Sequence, residues 1–444
     1  LVPLGALAAL GGAHPSATMP ILAAAAAAFL VSGAGPGLRD ARLLDAALAA
    51  LAAGAVLQVM PMPTAALALL SPHVEGLRAT LSVDPAGAPA TLSVDPRLTR
   101  GGLASLVSAL LVFWAAREAF GRGGLGVAAG ALAAMGFATT MVAFVQQATA
   151  PDLLLWTWRP VDPGSRPIGP FVNRNHFATW LLMAASVTAA YLAARAGPGR
   201  HEPWSLRLRV RDWLADGWGL LLAAALVAML VGLVATLSRA AILGAGAALT
   251  IAATLAARTG ARGRVARLAA AAVAVLLSLA VWSNRDALAR KFEAATTTSR
   301  VTIWRETLPI IRDFGLAGTG VGTYGHAMLR YQRPVRDVHF NQAHSEYLQL
   351  AAEGGLLLLA PAIVALVAGL RLARQRIRED TRGTRWLRIG AAAGLAGVAV
   401  QGLFETGLRV PANGLLAAVL AAILVHQVRQ PIESRGTDTT HRRG

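Results

Sequence analysis

Leu220–Leu237 reads LLLAAALVAMLVGLVATL, an uncharged apolar run close to the roughly 20 residues that carry a helix across a bilayer. Val265–Trp282 reads almost the same way, with one arginine near its start. Outward from these two runs the pattern repeats along most of the 444 residues, of which 55% are hydrophobic, and the mean hydropathy is +0.53. The chain reads as an all-α polytopic membrane protein of about 12 transmembrane helices. They are expected near 1–13, 18–34, 41–60, 102–119, 124–147, 176–195, 217–236, 239–257, 265–282, 355–373, 387–404 and 410–428. The chain has no cysteine and so no disulfide, and the redox compartment cannot be read from it.

The longest polar interval runs from Asn284 to Glu353. It organises the chain into transmembrane helices over 1–282, a large loop over 283–354, further transmembrane helices over 355–428 and a tail over 429–444. The first block includes two smaller extramembrane segments, 61–101 and 149–175. In 61–101, Ala79-Thr80-Leu81-Ser82-Val83-Asp84-Pro85 recurs as Ala90-Thr91-Leu92-Ser93-Val94-Asp95-Pro96, a local duplication. Segment 200–216, with Trp204, Leu206, Leu208, Val210 and Trp213 among arginines, reads as a helix lying on an anionic leaflet.

The net charge of +18 raises the question of nucleic acid, but its distribution argues for topology instead. Arg39 and Arg42, Arg117 and Arg122, Arg195 to Arg211, Arg258 to Arg267 and Arg371 to Arg388 fill alternate short connections. Basic residues collect in cytoplasmic loops, so this set faces the cytoplasm, and 283–354 faces outward. No nucleic-acid partner is expected, and membrane lipids are.

Polar groups at the outer ends of spans then need a reason. Arg174, His176, Arg239, Arg300, Arg305, His344 and Arg409 all fall there. For Arg409, snorkelling to headgroups is an equally good reading. Asn173-Arg174-Asn175-His176 opens a span, where a cap residue such as Asn173 is needed. Arg239 follows Thr236-Leu237-Ser238 with almost no loop, which pins it near the membrane. Arg300 and Arg305 also fit the exposed face of an amphipathic helix beginning at Ser299. His344 precedes Ser345, which fits an N-cap for a short helix from Glu346 to Glu353.

Several arginines and one histidine at one leaflet suit one chemistry. Arginine grips phosphate bidentately and stays charged, and a histidine near neutral pKa takes a proton from a hydroxyl nucleophile. Outside the cell no nucleotide is supplied, so a substrate must carry its own activation, as a lipid-linked pyrophosphate sugar does. No metal cage, Walker motif, nucleotide fold or zinc spacing is present in the sequence, and no cofactor is implied.

An ordered set of motifs now matters. It comprises Gly169-Pro170-Phe171-Val172-Asn173-Arg174-Asn175-His176-Phe177-Ala178, Leu237-Ser238-Arg239-Ala240-Ala241 and Ser299-Arg300-Val301-Thr302-Ile303-Trp304. Gly318-Thr319-Gly320-Val321-Gly322, Ala343-His344-Ser345-Glu346-Tyr347 and Gly402-Leu403-Phe404-Glu405 follow. Together they resemble the O-antigen ligase / O-antigen polymerase superfamily of bacterial membrane glycosyltransferases. The resemblance implies a multi-pass protein of the bacterial inner membrane with a large periplasmic loop between helices 9 and 10. It also implies metal-independent, inverting transfer of a glycan from undecaprenyl pyrophosphate to a lipid- or glycan-borne acceptor hydroxyl. His344 would be the catalytic base, and Arg174, Arg239 and Arg300 would bind the donor pyrophosphate. Asn173, His176, Arg305 and Glu346 are secondary candidates. Near the late span the family often carries histidine or serine and aspartate, where this chain has Gln401, Gly402 and Glu405, so no role is carried over there.

Ligase and polymerase share donor and chemistry and differ in acceptor. Two other classes stand beside them: a polytopic transporter, and a non-catalytic assembly component in which His344 is dispensable. The mid-span positions lack charge and show no inverted repeat, which weighs against transport.

A chain without cysteine is a ready background for topology mapping. Thr297→Cys should react with a membrane-impermeant maleimide in intact cells, and Thr381→Cys only after lysis. The reverse pattern would place every candidate residue in the cytoplasm and overturn the orientation.

Overall fold

The computed structural model describes residues 1–12, 14–35, 41–81, 90–160, 167–195, 216–257, 271, 274, 278, 282, 297–333, 339–380 and 383–427. Most of the span expected at 265–282, nearly all of segment 200–216, most of the first copy of the duplication and Thr381 lie outside the described residues. Within them the regular elements are all helices, and two isolated bridges lie in the segment 154–171.

Helix α1 (Val2–Ala8) is followed by α2 (Thr18–Ser32), α3 (Arg42–Val59), α4 (Thr64–Leu70), α5 (Val74–Leu81), α6 (Pro96–Gly121) and α7 (Leu125–Thr149). Next come α8 (Arg174–Arg195), α9 (Gly217–Ala235) and α10 (Arg239–Ala257). The set closes with α11 (Thr297–Asp313), α12 (Tyr324–Tyr331), α13 (Glu346–Glu379), α14 (Thr384–Gln401) and α15 (Pro411–Val425). Eight of these are long and apolar enough to cross a membrane: α2 with the turn before it, α3, α6, α7, α8, α9, α10 and α13. The chain is a multi-pass membrane protein.

Three expected spans differ. The described residues 1–12 hold the seven-residue α1 and a 3₁₀ turn. At about 1.5 Å per residue α1 itself rises roughly 10 Å, a fraction of a bilayer's apolar thickness. Helix α14 carries Arg385 and Arg388 in its first turns and is not among the eight, and α15 is 15 residues long. Both are nonetheless packed into the bundle, α14 against α8 and α10, and α15 against α6.

Helix α8 is the centre, buried continuously from His176 to Ala185 and packed on α7, α9, α10 and α14. Between α10 and α14 the backbones touch through Gly244 and Gly397. A Cβ on Gly244 would stand 2.6 Å from the Gly397 carbonyl, and one on Gly397 2.7 Å from the Gly244 carbonyl. Lipid supplies no hydrophobic drive between helices, so such close packing of small residues takes its place.

The two ends of the bundle are built differently. At one end several arginines of the basic set are buried in ion pairs. Arg117 binds Asp45 bidentately at 2.7 and 3.0 Å, and the Trp114 indole donates to the same carboxylate. Arg388 donates to Asp380 and to the carbonyls of Leu424 and His426, closing α14 onto the end of α15.

At the other end a second core joins α4, α5, α11, α12 and the first turns of α13 around Leu67, Leu77, Ile303, Ile310, Phe314, Tyr324 and Met328. The second copy of the duplication ties this lobe to the spans: Ser93 N donates to the Gln58 carbonyl, Val94 N to Thr319, and Asp95 caps α6.

Removing one partner of a buried ion pair leaves an uncompensated charge, which costs about 3–5 kcal/mol. Asp45→Ala should therefore unfold at clearly lower temperature in detergent than the wild type. An unchanged melting temperature would show that Arg117 finds equivalent partners.

Candidate functional site

The site forms around one carboxylate. Glu405 lies in the loop between α14 and α15 and is fully buried. Burying a carboxylate in a membrane protein is costly unless it is paired and hydrogen-bonded. Its partners come from distant segments: His344 Nδ1 stands 3.3 Å from Oε1, the Asn175 amide donates to Oε2, and an Arg300 guanidinium nitrogen is 3.6 Å from Oε2. The His176 Nε2 atom lies 4.0 Å from Oε1, beyond hydrogen-bond reach. Burial by itself would push the Glu405 carboxyl up, but the His344 hydrogen bond, His176 and Arg300 outweigh it and hold it down at about 2.

Local sequence explains how these groups arrive. His344 has φ +49, a left-handed conformation that strains a residue with a Cβ and marks functional positions. Its loop is held by Trp304 Nε1 donating to the Ala343 carbonyl at 3.0 Å, Ala343 N donating to Gln349, and Thr406 Oγ1 donating to Gln342. The Trp304 ring also packs on Phe404, beside Glu405, with centroids 6.2 Å apart. Asn173 caps α8, its side chain accepting from Asn175 N at 2.8 Å. Gln401 and Asn413 bind the carbonyls of Asn175 and His176, fixing α14 and α15 to the first turn of α8.

Of the expected donor-binding arginines, Arg239 and Arg300 are near enough for the charge of one to act on the other. Arg300 is pushed below the usual guanidinium range by burial, with Glu405 opposing and the Arg239 charge adding to the fall. Arg239 is placed by a short reversal between α9 and α10, in which Leu237 adopts φ +51 and Ser238 accepts from Ala241 N. Arg174 opens α8, half-buried, one residue before Asn175. Arg305 is exposed on α11 and takes no part in the cluster.

Glu346 does not join His344 either. It accepts from Leu408 N at 2.7 Å and pairs with Arg409 at 3.6 Å. Arg409 does not snorkel: it bonds the buried carboxylate of Glu353, which also accepts from Gly322 N, Tyr324 N and the Gln349 amide. This second carboxylate clamps the glycine-rich turn. Gly318 and Gly355, both at positive φ, meet so closely there that a Cβ on Gly318 would fall on the Glu353 carbonyl. Among the described residues no three His, Cys, Asp or Glu side chains group as metal ligands would.

The residues that sequence reasoning missed are Glu405 and Asn175. Glu405 departs from the family's pattern, so the resemblance carries no role to it. The available signal was that a lone acid between two apolar runs needs a buried partner.

The fold and site define a multi-pass helical membrane protein that holds a histidine, a carboxylate and two neighbouring arginines at one end of its bundle. Residues 224–363 match the family model described as O-Antigen ligase. The match spans Arg239, Arg300 and His344 and supports placing the chain in the O-antigen ligase/polymerase superfamily, whose members are membrane ligases and polymerases. No match was found among curated proteins.

A carboxyl whose pKa is lower in the folded state stabilises the fold above its ordinary value, and that contribution is lost as pH falls through the folded value. For Glu405 the window runs from 4.5 down to about 2. The difference in melting temperature between wild type and Glu405→Gln should shrink as pH falls through this window. A constant difference would mean that the charge of Glu405 does not hold the site together.

Proposed function

We propose that this protein transfers a glycan from undecaprenyl pyrophosphate to an acceptor hydroxyl at the periplasmic face of the bacterial inner membrane, as an O-antigen ligase or polysaccharide polymerase. The observation that carries this reading is the single cluster of His344, buried Glu405 and Arg300, with Arg239 beside Arg300.

Glu405 accepts from Nδ1–H of His344, which fixes the tautomer and leaves Nε2 with the lone pair a general base needs. His344 Nε2 takes the acceptor hydroxyl proton as that oxygen attacks the anomeric carbon. The bond from that carbon to the pyrophosphate oxygen breaks on the opposite face, so configuration inverts, and the lipid pyrophosphate leaves with the bonding electrons. Arg300 and Arg239 are like charges that act on each other, an arrangement that an anion between them relieves. As negative charge develops on the departing phosphate, both guanidinium groups bind it more strongly. Arg174, at the head of α8, completes the set of donor-binding arginines. No metal ion takes part.

His344→Ala should insert and express normally yet lose roughly 10²–10⁴ in transfer rate. Arg239→Ala and Arg300→Ala should lose turnover as well as donor affinity. The lysine variants should fall between, because lysine keeps the charge and loses the bidentate fork. Arg378→Ala, on the exposed far end of α13, should be normal, and EDTA should have no effect. Normal transfer by His344→Ala would remove the base. Normal turnover in both arginine variants would remove the clamp.

A further inference from the structure

Helix α11 is tied down near both ends. Near its start, Arg300 reaches Glu405 and Trp304 packs on Phe404, in the loop that joins α14 to α15. Just past its end, the carbonyls of Gly315 and Leu316 accept from Leu356 N and Leu357 N at 2.8 and 2.9 Å. Leu356 begins the apolar part of α13, immediately after the kink at Gly355. With 17 residues at about 1.5 Å each, α11 bridges the ends of different spans and so runs along the end of the bundle, not away from it.

Its side chains divide by face. Ile303, Glu306, Thr307 and Ile310 are buried toward the second core. Val301, Arg305, Leu308 and Arg312 are exposed, Leu308 at 56%. Their spacing of four, three and four residues makes one stripe on a helix. Arg312 pairs with Asp313 beside it, and the stripe itself carries no acid. Leu316 continues the stripe past the end of the helix. Its hydrogen-bonded neighbourhood leads to Leu356, 57% exposed, the first of the exposed apolar residues that run down α13 through Ile363, Leu366 and Leu370. The stripe is therefore continuous with a face that meets lipid.

Leucines interleaved with arginines at such a level match the boundary between headgroups and acyl chains, where the apolar side chains are covered and the guanidinium groups meet phosphate. We propose that this stripe of α11 rests in the headgroup layer of the leaflet on the side of the site, with anionic phospholipid as its partner. It thereby holds Arg300 at the depth of the lipid phosphates. The consequence for the donor rests on the glycan-transfer reading, because a lipid-linked pyrophosphate arrives at that same depth.

The chain's lack of cysteine allows a direct test. Leu308→Cys and Ile363→Cys are each labelled with a small fluorophore in full-length protein. The proteins are reconstituted in vesicles of phosphatidylglycerol and phosphatidylethanolamine carrying nitroxide at the headgroup or at mid-chain. The Leu308 label should lose roughly half its emission to headgroup nitroxide and little to mid-chain nitroxide. The Ile363 label should show the reverse order. Arg305→Glu added to Leu308→Cys should weaken the headgroup quenching. Quenching of the Leu308 label by aqueous iodide alone would overturn the proposal. Shielding from both quenchers would also overturn it, because a second copy or another protein would then cover the stripe. The readout involves no transfer chemistry, so it stands or falls separately from the activity of His344 variants.

Discussion

The burial of the Glu405 carboxylate is the constraint on which the site depends. A fully buried carboxylate must be met by donors and positive charge or it is not tolerated. Here the donors come from the first turn of α8, the loop before α13 and the first turns of α11. None is near Glu405 in sequence, so the cluster exists only when the bundle is assembled. The same carboxylate that costs free energy to bury decides which way the His344 ring points.

A second buried carboxylate, Glu353, does comparable work for the framework. It binds Arg409 from the late loop and the backbone of the glycine-rich turn, whose contact with α13 at Gly355 leaves no room for a side chain. The two acids divide the labour. Glu353 fixes the second-core lobe to the end of α13, and Glu405 uses that fixed lobe to gather His344 and Arg300. Glu346 belongs with the first, through Leu408 and Arg409.

Much of this was legible in the sequence, for physical reasons. Uninterrupted apolar runs report a helix in lipid directly, and the bounds read for 239–257 and 217–236 agree with α10 and α9. In the run at 1–13 the described helix is shorter than the apolar stretch, because composition says nothing of where a helix ends. Arg239, Arg300 and His344 stood out because a charged or titratable group at a membrane boundary demands an account. Arg300 and Arg305 looked alike in the sequence and part company in the structure. They sit five positions apart on one helix, and only packing decides which faces the site. Which groups Glu405 and Arg409 bind was unreadable for a related reason: their partners His344 and Glu353 lie 61 and 56 residues away, and no local pattern announces a long-range ion pair.

The central claim is that Glu405 acts through His344. A double-mutant cycle on transfer rate tests it most directly, comparing His344→Ala, Glu405→Gln and the two combined in protein shown to be folded and inserted. If the carboxylate serves to orient and charge-match the imidazole, the losses are strongly non-additive, and the double variant is no slower than His344→Ala alone. Losses that multiply would contradict the account and give Glu405 a role independent of the histidine.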